Sequence, residues 1–324
     1  MPANPALSLV IITYGREQVL IDTLGHLLAQ IRVLKEGVDL LVVDQTPRHE
    51  EAVESQLAAW SAQGAIRWLR LPEPHLTHAM NVGLIEARAP LVLYTDDDII
   101  PREGLLAAHL RAYEEFPEAD AVVGQVLQPG EQPEDLAYTP SGDKLRRYLD
   151  FPFRSLRGTW VENAMAGNLS VRREKALAIG GFDENFPPPV ASRFETEFAK
   201  RLIDAGGRIR FEPRASIHHL QAASGGTRSK GSHLTSASPR YGVGDCYYAF
   251  RHGQGWGLFT YLLRKPFREV RTRFHLRHPW YIPIKFIGEL RALAAAWRLA
   301  KRPGKLIFAE GEGGKKEQQG DFAC

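Results

Sequence analysis

Cysteine is almost missing from this 324-residue chain: Cys246 and Cys324 are the only two. A disulfide framework is therefore not expected, and a reducing compartment fits best. No run of about eighteen uncharged apolar residues occurs, so no segment is expected to cross a membrane. Met1-Pro-Ala-Asn-Pro-Ala-Leu7 has neither the charged nor the apolar region of a signal peptide, and a cytoplasmic location is expected. No internal repeat is visible. Acidic residues are scarce in one region only. Residues 251–305 carry 13 Lys/Arg against 2 Asp/Glu, a net of +11, whereas residues 1–250 carry 26 against 32, a net of −6. That asymmetry asks for an acidic partner: an anionic membrane surface, a nucleic acid or an acidic substrate.

What is present is the composition of a globular protein, 44% hydrophobic and 24% charged, with room for one large or two ordinary domains. The first half alternates strand and helix signals. Strands are expected over 7–13, 38–44, 65–69, 91–94 and 119–126, and helices over 17–34, 49–62, 75–88 and 103–115. The strands are short apolar runs of the kind buried on both faces, so the expected class is α/β with a mostly parallel sheet. Residues 128–157, rich in Pro, Gly and charge, read as a long loop. Structure resumes at 160–171, a helix over 193–205 ends at Gly206-Gly207, and a strand pair is expected near 208–219.

The sharpest local feature is Asp96-Asp97-Asp98, which closes the apolar run 90–95. Adjacent carboxylates repel, and a divalent cation is the simplest compensation, because hard cations prefer oxygen ligands and Mg²⁺ usually shares its shell with phosphates. A solvated turn is the bland alternative. On extended backbone Asp96 and Asp98 should share a side. Thr13 and Asp44 end neighbouring strands, on the rim where α/β sheets bind ligands.

Several motifs recur in a familiar order: Leu9-Val-Ile-Ile-Thr-Tyr-Gly-Arg16, Leu41-Val-Val-Asp44, Ala79-Met-Asn-Val-Gly83, Thr95-Asp-Asp-Asp98, Gly167-Asn-Leu-Ser-Val-Arg172, Gly180-Gly-Phe-Asp-Glu184, Glu195-Thr-Glu-Phe-Ala-Lys-Arg201, and Pro213 followed by His218-His219. Over about residues 7–228 the chain resembles the inverting glycosyltransferases of family 2, which have the GT-A fold. The resemblance implies a Rossmann-like, mostly parallel sheet flanked by helices. It also implies a nucleotide-diphospho-sugar donor, Mg²⁺ or Mn²⁺, and an acceptor hydroxyl on a glycan, a lipid-linked molecule or a polysaccharide precursor. It places Thr13, Tyr14, Arg16, Asp44, Asn81, Asp96, Asp97, Asn168 and Arg228 at the nucleotide-sugar. Asp98, Asp96 and His219 go to the metal, and either Asp96 or Asp97 faces the ribose. His218 and His219 point opposite ways, so only one enters the site. Asn168 and Ser170 are expected on the sugar or acceptor side, with Trp160 either a stacking face or a core residue.

Inverting transfer needs a general base. The family uses a Glu-Asp pair at a helix start; here Phe194 stands at the Glu and Glu195 at the Asp, so Glu195 is the expected base. Met80 replaces an Arg that contacts the diphosphate in many members, and His75 or His78 could substitute. Gly225-Gly-Thr-Arg228 and Lys230 could close over the diphosphate.

The expected organisation is a catalytic unit over 1–235, with a nucleotide-binding half (1–127) and an acceptor half (128–235). A basic, aromatic helical extension over 236–308 and a disordered tail over 309–324 follow. Phe286, Leu290, Leu293 and Trp297 recur at helical spacing, with Lys285, Arg298, Lys301 and Arg302 beside them. That suits peripheral binding to the inner face of a membrane, or a helix packed on the catalytic unit. The apolar stripe argues against nucleic acid. A non-catalytic scaffold with this fold is the alternative function. A nucleotidyltransferase would need a longer Gly-rich phosphate loop than Thr13-Tyr-Gly-Arg16.

Overall fold

The computed structural model describes residues 4–139, 145, 151–188, 191–226 and 232–307. In chain order the elements are β1 (Leu7–Thr13), α1 (Gln18–Val33), β2 (Val38–Asp44), α2 (Glu51–Ala62), β3 (Arg67–Arg70), α3 (Leu76–Glu86), β4 (Leu91–Thr95), β5 (Ile99–Pro101) and α4 (Leu105–Glu115). There follow β6 (Ala121–Leu127), β7 (Thr159–Val161), β8 (Asn168–Arg172), α5 (Arg173–Ala178), α6 (Phe194–Asp204) and β9 (Ile209–His219). The extension supplies α7 (Val243–His252), α8 (Gly255–Glu269), α9 (Arg273–Arg277) and α10 (Tyr281–Ala300).

One sheet runs β3-β2-β1-β4-β8-β6-β9-β5, with β7 also paired to β9. The β3-β2-β1-β4 block is parallel, β8 is antiparallel to both neighbours, and β6 is parallel to β9. The strands are apolar on both sides because helices cover both. Leu7, Leu9, Ile11, Leu40 and Val42 pack with Leu20 and Leu24 of α1, Leu57 of α2 and Leu105 of α4. The alternate residues Val10, Leu41, Val43, Val92 and Tyr94 pack with Leu84 of α3 and Phe198 of α6. The period-two alternation of strands thus sorts the helices into two layers. Tyr247 and Tyr248 of α7 and Ala292 and Ala296 of α10 join the second layer's core, so the extension is packed on the sheet unit.

Two expectations need correction. The strand pair near 208–219 is one eleven-residue strand, β9. Its pairing with β6 shifts register between Gly124, opposite Glu212, and Gln125, opposite Ser216. Pro213 lies in the skipped stretch and has no N–H to give the ladder. Gly124 is required there, because a Cβ would stand 2.2 Å from Ala215 O and from Asn168 Nδ2. The expected stripe on α10 is also altered. Lys285 turns inward, together with Gly288, Glu289, Ala292 and Ala296, whereas Leu290 and Trp297 face outward. The α6 terminus is as expected: Gly206 has φ +85, and the Gly206 and Gly207 N–H groups donate to Ile203 O and Leu202 O. The tail over 309–324 lies outside the described residues, as does much of the 128–157 loop.

Candidate active site

The carboxylate triplet sits where β4 gives way to β5. Asp96 N–H donates to Gly167 O at 3.2 Å, and Asp98 O accepts from Leu220 N–H at 2.8 Å, which ties the turn to both sides of the cleft. Gly167 leaves room for the first side chain, since a Cβ there would lie 2.3 Å from Asp96 Oδ2. β5 pairs antiparallel with β9 and sets Ile99 opposite His219, beside the triplet. His219 Nε2 lies 3.1 Å from Asp98 Oδ1 and 3.6 Å from Asp96 Oδ2. Asp96, Asp98 and His219 offer ligand atoms all within 4.8 Å of one another. His218 points outward and is exposed. The alternation of strand side chains therefore selects His219.

The donor set fits a divalent cation for a chemical reason. His219 Nδ1 lies 2.9 Å from Gln128 Oε1, an oxygen that also accepts from Gln221 Nε2 at 2.7 Å. An amide oxygen only accepts, so His219 carries a proton on Nδ1; a second proton on Nε2 lets the charged ring meet Asp98, and without it the Nε2 lone pair opposes two carboxylates. A cation between them relieves that opposition.

Asp97 faces the other way. Arg16 donates from Nε to Asp97 Oδ1 at 3.2 Å and from Nη2 to Asp98 Oδ2 at 3.0 Å. Its Nη1 donates to Ala222 O at 3.2 Å and to Ser224 O. Burial pushes the Asp97 carboxyl up to about 7, although Arg16 opposes it. At Asp98 burial acts in the same direction but is outweighed by His219, the Ala222 N–H and Arg16, so its carboxyl stays below the usual range.

The start of α6 supplies another part of the lining. Glu195 lies in its first turn, half-buried, and lines the same cleft of about 500 Å³ as the triplet. Burial pushes its carboxyl up to about 7, its own and the Ala166 backbone N–H groups oppose that, and the negative Asp96 adds to it. A carboxylate poised near neutrality can take a proton from a hydroxyl. Glu197, one residue beyond the next, is spent on structure: Arg201 donates to it at 2.7 and 2.8 Å. Phe194, at the position of the family's Glu, is buried in the core near Phe182.

Thr13, Tyr14, Arg16, Asp96, Asp97, Asp98, Glu195 and His219 all line this cleft. Three other expected residues do not. Asp44 is fully buried: Thr46 N–H donates to Oδ1 at 2.8 Å, Trp68 Nε1 donates to Oδ2 at 3.0 Å, and His49 Nε2 is 2.8 Å from Oδ2. Asn81 is clamped to Phe182 N–H and O and to Glu184. Asn168 is held inside the sheet by Gln125 O, Ala215 O and His109. Each has its hydrogen-bonding capacity used within the protein, which removes it from the cleft wall. Ser170 is likewise buried against His109 and Tyr113, and Trp160 is covered by Arg208, 3.8 Å above its ring. His75 lines the cleft but burial lowers its pKa, leaving it neutral, while His78 is paired with Glu184 at 3.1 Å. Arg228 and Lys230 lie outside the described residues.

Sequence reasoning missed Gln45, Thr95, Asn163 and Arg193, which also line the cleft. Thr95 Oγ1 and Asn163 Oδ1 are buried there without a partner among the described residues. Thr95 adjoins the triplet and was findable; Asn163 lies in a loop with no periodic signal.

Residues 8–178 match the family model described as "Glycosyl transferase family 2". The chain is 29% identical over 146 residues to pre-mycofactocin glycosyltransferase of Mycobacterium tuberculosis, in strains CDC 1551 / Oshkosh and H37Rv alike. That stretch is 44% of this chain and only 29% of the relative's length. Among solved structures, the mannosyltransferase PcManGT from Pyrobaculum calidifontis, in complex with GDP-Man and Mn²⁺, shares the fold over 91% of this chain and 76% of its own, with a TM-score of 0.53 at 20% identity. GalNAc-T7 with UDP, GalNAc and Mn²⁺ does so over 87% and 57%, with a TM-score of 0.54 at 13% identity. At these identities the likeness is one of fold.

Proposed function

The chain belongs to glycosyl transferase family 2 and has the GT-A fold, and from that premise we propose metal-assisted, inverting transfer of a sugar from a nucleotide-diphospho-sugar to an acceptor hydroxyl, with Glu195 as general base. One observation carries this reading: the three-ligand cluster Asp96, Asp98 and His219 and the carboxyl of Glu195 line one cleft. The neighbours bound to GDP-Man or to UDP support a nucleoside diphosphate donor; the base of the donor is left open by the residues here.

Glu195 takes the proton of the acceptor hydroxyl as its oxygen bonds to the anomeric carbon. The bond from that carbon to the diphosphate breaks on the far side, and its electron pair leaves with the diphosphate. Inversion follows from that single displacement. Mg²⁺ or Mn²⁺, held by Asp96, Asp98 and His219, would supply positive charge to the leaving diphosphate. Gln128 fixes the His219 ring, and Arg16 holds Asp97 and Asp98 in place. Thr13, Tyr14 and Gln45 form the nucleotide end of the cleft, while Asn163 and Glu195 form the acceptor end.

The test is incubation of the purified protein with Mn²⁺ and a panel of sugar nucleotides. Slow donor hydrolysis that needs the metal is expected. Tight nucleotide binding with no turnover for any donor and acceptor would instead identify a scaffold.

We further propose that the extension rests on an anionic membrane, which would bring a lipid-linked acceptor to the cleft. On α8, Trp256, Phe259, Leu263 and Phe267 recur at helical spacing and are 51–76% exposed. The Phe267 ring lies 5.2 Å from that of Phe286, which joins this face to α10. Beside it runs a groove of about 980 Å³ lined by Lys200, His252, Arg264, Arg268 and Arg271, with no acidic residue in its lining among the described residues. Apolar bulk flanked by Arg is the pattern of an interfacial helix. Among the described residues no helix is long and apolar enough to cross a membrane. Co-sedimentation with vesicles containing anionic lipid, but not with neutral ones, is the expected result.

A further inference from the structure

The segment that leads into α6 is strained. Ala191 has φ +43 and Arg193 has φ +68, although neither is glycine. Side chains at such φ persist only where the surroundings over-determine them, and they gather at functional sites. Arg193 is also the residue just before the helix that presents Glu195.

Two of the groups that fix Arg193, Asp245 and Tyr248, belong to the C-terminal extension. Its Nη1 lies 2.9 Å from Asp245 Oδ1 on α7, and its guanidinium carbon sits 4.4 Å from the centre of the Tyr248 ring. Its Nη2 donates to Leu145 O at 2.5 Å. Asp245 is held in turn from α8, where Tyr261 Oη donates to both its oxygens at 2.8 and 3.0 Å and Lys265 Nζ lies 2.9 Å from Oδ2. Lys265 also reaches Glu289 of α10 at 3.3 Å, and Lys285 donates to Glu289 at 2.5 Å. Arg193, Asp245, Lys265, Lys285 and Glu289 are each no more than 7% exposed. Gly244 makes the approach possible: a Cβ there would lie 2.2 Å from Ser192 O. α7 thus lies directly against the backbone of the strained segment.

A chain of buried charges is a poor choice for cohesion alone, since apolar residues of equal volume usually serve as well or better. Charges do fix geometry, because each partner must meet its counter-charge. Resting on the reading of Glu195 as the base, we propose that Asp245 is a positioning residue: acting through Arg193, it aims Glu195 at the acceptor, so that the extension completes the catalytic wall. The groups facing Glu195 itself are Asp96 and the N–H groups of Glu195 and Ala166.

The test uses the full chain carrying Asp245→Asn. A second variant, Asp245→Asn with Lys265→Met, removes one charge of each sign and carries the same readouts if the single variant does not fold. Three quantities are followed: affinity for Mn²⁺ and nucleotide by calorimetry, kcat, and the titration of Glu195 by NMR of ¹³C-labelled glutamate carboxyls. Nucleotide affinity should stay within about threefold, whereas kcat should fall at least about tenfold, in line with what small misplacements cost. The Glu195 midpoint should move down from about 7 as the loosened segment admits water. Asp245→Glu should recover part of both. A folded variant with wild-type kcat and an unchanged Glu195 titration overturns the proposal. So does a loss of nucleotide affinity in step with kcat, which would mark general damage. If the wild-type chain turns over no donor, the transferase reading falls, and the Glu195 titration alone still decides whether Asp245 positions it.

Discussion

Asp98 and Glu195 face one cleft with the same functional group in opposite states. On the donor wall Asp98 is almost fully buried yet held below the usual carboxylate range, because Arg16, His219 and the Ala222 N–H all meet it. On the acceptor wall burial pushes Glu195 up to about 7, and the negative Asp96 adds to it. Burial raises both carboxyls; the difference is that His219, an N–H group and Arg16 outweigh it at Asp98, whereas only backbone N–H groups oppose it at Glu195. The partners around Asp98 keep it an anion suited to a metal, while its neighbour Asp97, where burial and the adjacent carboxylates outweigh Arg16 and Thr13, is pushed up to about 7. The balance at Glu195 leaves a carboxyl that can gain and lose a proton.

The largest test of this contrast is Glu195→Gln. It should lower kcat about 10²- to 10⁴-fold while leaving the affinity for nucleotide and Mn²⁺ nearly unchanged, measured by steady-state kinetics and calorimetry. Gly167→Ala strikes the other wall. Its Cβ would stand 2.3 Å from Asp96 Oδ2, and displacing that carboxylate by about 1 Å should cost about a hundredfold in activity, with metal affinity falling as well. The pH profile reads Glu195, with Asp97, also pushed up to about 7, titrating in the same range. In the proposed role as base Glu195 works deprotonated, and burial raises its pKa, so the rate should climb about tenfold per pH unit below about 7 and level off above it. The same shift has a sign for stability. The native state holds a proton that the unfolded chain releases near its usual 4.5, so this group's contribution weakens as pH rises from about 4.5 to 7. The smallest functional effect is expected for Asp44→Asn. It should change nucleotide affinity less than about threefold, yet cost about 1–3 kcal/mol of stability by leaving buried donors unpaired, visible as a lower Tm.

How legible the two walls were in the sequence differs for a physical reason. The donor wall is written in strand ends, where period-two alternation decides which side chains meet. It placed Asp96 with Asp98 and allowed only one of His218 and His219 inside, the choice of His219 resting on the family resemblance. The sheet and its helices were readable for the same reason, to within a few residues at their ends. Asp44, Asn81 and Asn168, expected at the nucleotide-sugar, lie in buried hydrogen-bond networks; a polar residue at a strand or helix terminus can serve either, and spacing does not distinguish these. The acceptor wall depends on contacts between α6 and α7, some fifty residues apart. Nothing local in Arg193 or Asp245 announces that they meet.

The contacts around Arg16 also bear on how this chain assembles. Arg16 and Tyr14 are bound to Ala222, Ser224 and Gly226, about two hundred residues later, and Gly225 fits against Gly15 so closely that a Cβ would lie 2.4 Å from Gly15 O. Pairings of such separation are slow, because a long loop must close before any contact repays it. As the chain emerges from a ribosome, the strands of the nucleotide half are complete long before the segment that pins Arg16 has been made. In that interval its guanidinium lacks its carbonyl partners and β5 lacks its neighbour β9. Binding competence for the donor should therefore arise late and abruptly, once residues near 226 have been synthesised, rather than growing with each strand added.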